Sequence, residues 1–73
     1  MAYEIGEKVF IMQSYATGRT GGLQHHVGME GVVVGRSTYK VDFVTMFSYE
    51  VQFEGFKLNL SERHVTNVKG HLV

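Results

Sequence analysis

Residues 39–60, YKVDFVTMFSYEVQFEGFKLNL, decide the fold. Tyr39, Val41 and Phe43 alternate with Lys40 and Asp42. Tyr49, Val51 and Phe53 alternate with Glu50, Gln52 and Glu54, and Phe56, Leu58 and Leu60 with Lys57 and Asn59. Successive side chains of a strand point to opposite faces, so each run reads as a strand with one apolar and one wet side. Three such runs in succession predict an antiparallel meander with Val41, Phe43, Val51, Phe53, Leu58 and Leu60 in the core. Arg36-Ser37-Thr38 and Glu54-Gly55 are the expected turns between alternating runs.

Upstream, Val9-Phe10-Ile11-Met12 and Val32-Val33-Val34 are apolar without alternation and are bounded by Gly6, Gly31 and Gly35. They read as central, strongly bent strands covered on both sides. Downstream, Ser61-Glu62-Arg63-His64 predicts a single helical turn with Ser61 as N-cap, followed by a short strand over Val65 to Val68. Ser14 to Gly28 shows no periodicity and holds Gly18, Gly21, Gly22 and Gly28. A connection of that length in so small a domain is usually functional or disordered.

These elements predict one all-β domain over residues 1–73. The expected form is an SH3-like, five- to six-stranded antiparallel barrel with one short helical turn before the last strand. Gly6-Glu7-Lys8-Val9-Phe10-Ile11, then Gly28-Met29-Glu30-Gly31-Val32-Val33-Val34, then Tyr39-Lys40-Val41-Asp42-Phe43 resembles the KOW/Tudor type of small barrel found in bacterial and bacteriophage proteins. That resemblance implies a small accessory or regulatory protein, or an RNA- or DNA-binding domain. Gly31 to Gly35 and Tyr39-Lys40-Val41 also resemble strands of the tetrameric type II dihydrofolate reductases. The substrate-binding V-Q-I-Y run of that family is met only by Val51-Gln52-Phe53-Glu54, in the wrong place before the terminal turn, so reductase activity is not expected.

Composition narrows the function. Seven Lys+Arg balance seven Asp+Glu among 73 residues, for a formal net charge of zero. A dedicated nucleic-acid binder usually carries a basic excess, because phosphate neutralisation supplies most non-specific affinity. No cysteine is present, which excludes disulfides and thiolate metal sites and leaves stability to a dense core. The start, Met1-Ala2-Tyr3-Glu4, resembles no signal peptide, and no uninterrupted apolar run exceeds four residues. A cytoplasmic location without membrane contact is the expectation.

Chemistry-bearing groups are sparse. The serines lie in no nucleophile elbow, and Asp42 is the only aspartate, so no catalytic residues are expected. His25-His26 invites a metal, but neighbours on an extended segment point apart and no carboxylate lies within the loop, so no metal or cofactor is expected. Thr17-Gly18-Arg19-Thr20-Gly21-Gly22 lacks the phosphate-loop lysine and a following helix, and reads as a flexible loop. The aromatics at 39, 43, 49, 53 and 56 fall on apolar strand faces, which favours core over a methyl-lysine cage or base-stacking platform. A proline-peptide groove would need a tryptophan, and the chain has none.

What remains is binding through the long loop, with Tyr15, Arg19, His25 and His26 as contacts and a protein partner or a second copy as ligand. The alternative site is a sheet face bearing Lys40 and Lys57. Self-association is expected through the outer side chains of the two apolar strands (Phe10, Met12, Val33), unless the long loop or Leu72-Val73 covers them.

Overall fold

The computed structural model describes residues 2–17 and 23–73. Strand β1 (Lys8–Ile11) leads into a short helix α1 (Gln13–Thr17) and a 3-10 turn at Gln24–His26. Strands β2 (Glu30–Val41), β3 (Val44–Phe53) and β4 (Phe56–Ser61) follow, then a second 3-10 turn (Glu62–His64) and β5 (Val65–Thr66). One antiparallel sheet has the order β4-β3-β2-β1-β5. Its outermost strands, β4 and β5, are not paired, so the sheet is open, and the second 3-10 turn runs between them. The all-β expectation holds. The helical turn before the last strand also holds: Ser61 Oγ accepts from Arg63 N at 3.3 Å, the hydroxyl cap its position implies.

The core is Val9, Ile11, Val33, Tyr49, Val51, Phe53, Leu60 and Val65. Expected Val51, Phe53 and Leu60 lie in it, and Leu58 packs against it half-buried. The Tyr49 ring is fully buried, and its hydroxyl accepts from Tyr3 N at 3.0 Å, so this interior oxygen is partnered. Gly31 admits the crossing of β2 over this core. A Cβ there would stand 2.5 Å from Val51 Cγ1 and 2.7 Å from Phe53 Cε1, closer than real atoms pack.

Two expected core residues are not in the core. Val41 is 42% exposed and Phe43 98% exposed. Both lie where the hairpin extends beyond β1 and β4, so neither of its faces is covered there, and a β-bulge sets which face they take: Val33 pairs with Val51 but Gly35 pairs with Glu50, so β2 carries one extra residue at Val34. One inserted residue exchanges the faces of everything beyond it. Arg36, Thr38 and Lys40 therefore lie on the core side, opposite Tyr49, Phe47 and Thr45, while Tyr39 and Val41 lie on the outer side, opposite Met46 and Val44. The chain reverses at Asp42-Phe43, both at positive φ (48° and 68°), a two-residue turn of the twist hairpins favour. Arg36-Ser37-Thr38, expected as a turn, is continuous strand. Glu54-Gly55 is the turn expected, with Gly55 at φ 86°.

The same geometry corrects two further expectations. Phe10 and Val33 are buried within the chain and Met12 is half-buried, so the chain's own fold covers Phe10 and Val33, the alternative to contact with a second copy. Lys40 and Lys57 lie on opposite sides of the sheet, because Lys40 sits across from Thr45 and Lys57 from Gln52. Among the described residues no helix is long and apolar enough to cross a membrane.

Candidate functional site

The long first connection is held at its neck. Gln13 and Gln24 exchange side-chain hydrogen bonds, Gln13 Nε2 to Gln24 Oε1 at 3.0 Å and Gln24 Nε2 to Gln13 Oε1 at 3.3 Å. Below this clasp, Gly28 N donates to Ile11 O at 2.8 Å and Ile11 N to Met29 O at 3.1 Å, which continues the strand pairing to the root of the loop. Gly28 sits at φ 87°, a conformation glycine adopts without strain. The C-terminal segment braces the same root: Gln13 N donates to Leu72 O, and Leu72 Cδ1 lies 3.4 Å from where a Gly28 Cβ would be.

Aromatic rings join this loop to the sheet. The His26 ring stacks on Phe56 with centroids 5.3 Å apart and 24° between planes, and Phe56 stacks on Phe53 at 5.1 Å and 17°. Tyr15 lies 6.3 Å from His26 and meets His64 edge-on at 6.2 Å. His25 contacts His26 edge-on at 4.4 Å and is itself exposed. Expected contacts Tyr15, His25 and His26 are thus gathered into one cluster. Arg19 lies outside the described residues.

The adjacent histidines were expected to point apart. They touch instead, because Gln24–His26 is a 3-10 turn and not an extended segment. The cost of seating His26 is visible: its Nδ1 is buried without a hydrogen-bond partner among the described residues. Among those residues no three His, Cys, Asp or Glu side chains converge as metal ligands.

His64 is the buried polar member of the cluster. Ser14 Oγ donates to Arg63 O at 2.8 Å and contacts His64 Nδ1 at 3.2 Å. With its hydrogen directed at the Arg63 carbonyl, Oγ offers His64 Nδ1–H an acceptor, so the contact suits the neutral ring. Burial and, second, the Arg63 guanidinium hold the His64 pKa below its ordinary value of 6.5, which keeps the ring neutral.

Phe56 and His64 were not among the expected contacts. Alternation points Phe56 to the core, and it packs there half-buried; its position directly after Gly55, at the first residue of β4, is the signal that it stands at the margin. His64 ends the SERH turn and so faces the root of the long loop. Comparison with protein-family models, curated proteins and solved structures finds no match to this chain.

Proposed function

We propose that the protein is a non-enzymatic, SH3-like binding module that recognises another protein through the face built by its first loop. The barrel reading is supported by the strand order, by β1 pairing with both β2 and β5, by the bulged long β2 and by the 3-10 turn before β5. The observation that carries the function is the aromatic row His25–His26–Phe56, with Tyr15 beside it, which seats the loop on β4. Exposed His25, Gln24 and Leu23 stand on that seat. Amphipathic rings next to adaptable polar groups are what protein-contact loops use.

Nucleic acid is the second reading, favoured by the same rings as a stacking surface and opposed by the zero net charge. The test compares His25→Ala and Phe56→Ala with the parent chain. Proteins captured by the tagged parent and lost with both variants support the module. Binding of single-stranded RNA or DNA that falls steeply between 50 and 200 mM salt (roughly the range over which phosphate contacts lose affinity) replaces it with the second reading.

A further inference from the structure

The β2–β3 hairpin extends beyond both of its neighbours. Strand β1 pairs with β2 only over Glu30–Val32, and β4 pairs with β3 only as far as Ser48. Residues 37–47 therefore form a two-stranded arm. Its outer face carries the cross-strand pairs Tyr39–Met46 and Val41–Val44, with Phe43 at the tip. Val44 is 59% exposed, and Phe43 is almost wholly in water.

Phe43 is also held at φ 68°, a region a bulky side chain rarely adopts and where glycine or asparagine is the usual occupant. A strained backbone that presents an exposed aromatic is a feature folding alone would not select, and such outliers concentrate at working surfaces. The ribbon's edges are guarded. Glu62 Oε1 accepts from Phe47 N at 2.6 Å where β4 stops, and inward-facing Lys40 lies on β2 where β1 is absent. Charges so placed oppose strand addition and leave the face as the available contact.

We propose that this outer face is the contact between two copies of the chain, packed face to face across a two-fold axis. Two observations favour a second copy. The face residues carry no charge and the chain has zero formal net charge, so two copies meet without like-charge repulsion. Because the same patch faces itself in the two copies, the contact is closed and isologous. A phenylalanine brings about 200 Å²; with Val41 and Val44 partly exposed and Tyr39 and Met46 half-buried, complete coverage of the five residues in both copies removes at most on the order of 800–1,000 Å², the range of weak, transient contacts. The dimer is accordingly weak and concentration-dependent. It leaves the first-loop face free and does not depend on the reading of that face.

Sedimentation equilibrium of the whole chain, from about 20 µM to about 1 mM, reads this directly, the range spanning a weak dissociation constant. The mass should rise with concentration toward that of a dimer. Phe43→Gly should weaken association at least about tenfold while the midpoint of thermal unfolding, read on dilute monomer, rises, because it removes the anchor and the strain together. Val44→Glu should leave a monomer of unchanged circular dichroism. A monomer throughout, association that survives both variants, or association lost only with the native fold would each overturn the proposal.

Discussion

The ring of His26 lies 5.3 Å from that of Phe56, nearly parallel to it, and so ties the first loop to the start of β4. Phe56 is half-buried, so Phe56→Ala should cost roughly 1–3 kcal/mol, below the range for a fully buried phenylalanine. Its local effect should be larger than its global one. Amides of residues 23–28 should lose protection in hydrogen exchange while those of β3 keep theirs relative to the new global stability. Uniform loss across the chain would show that the loop is not seated by this stack.

Gly31→Ala should destabilise the fold by about 2–3 kcal/mol, because the added Cβ meets the Val51 side chain and the Phe53 ring, both buried with little room to retreat. Gly35→Ala is the control. Its Cβ would stand 3.2 Å from that of Glu50 on the solvent side, and a cost below about 1 kcal/mol is expected. Chemical denaturation of the two variants orders them, and equal costs would contradict the close approach of β2 to the core.

Phe43→Ala should change stability by less than about 0.5 kcal/mol when measured on dilute protein, since the ring touches solvent and the strain remains. Phe43→Gly should raise stability by about 0.5–1 kcal/mol by relieving the positive φ. A loss of several kcal/mol for Phe43→Ala would return this residue to the core.

His64 sets a pH dependence with a definite sign. Its folded pKa lies below 6.5, by burial first and Arg63 second, so the unfolded chain takes up a proton more readily. The stabilising difference is complete above the unfolded value and is lost as pH falls from about 6.5 through the folded pKa. His64→Asn keeps a donor for Ser14 without the titration, so its stability profile should be flatter between about pH 5 and 7. Identical slopes for parent and variant would remove His64 as the source.

The sheet was legible because alternation at Tyr49–Phe53 and Phe56–Leu60 coincides with real burial, and because Gly55 and Ser61 carry local instructions that context does not override. The arm was not legible. Tyr39, Val41 and Phe43 alternate as well as any core strand, but the bulge at Val34 exchanges their face, and a bulge leaves no pattern in a run of three valines. The loop was visible as the place of interest through its length and glycines. Its seat was not, since the stack of His26 on Phe56 joins residues thirty apart through a fold the local pattern does not contain.

Affinity capture in the cells that make the protein, followed by mass spectrometry, tests the central claim most directly. It compares the parent chain, His25→Ala with Phe56→Ala, and Val44→Glu. The account predicts that proteins enriched by the parent drop at least about tenfold with the loop-face variant, the loss expected when a contact anchor is removed. They should be retained by Val44→Glu, whose substitution lies on the arm. Equal recovery by the loop-face variant, or recovery abolished by nuclease treatment, would contradict a protein-binding face on the first loop.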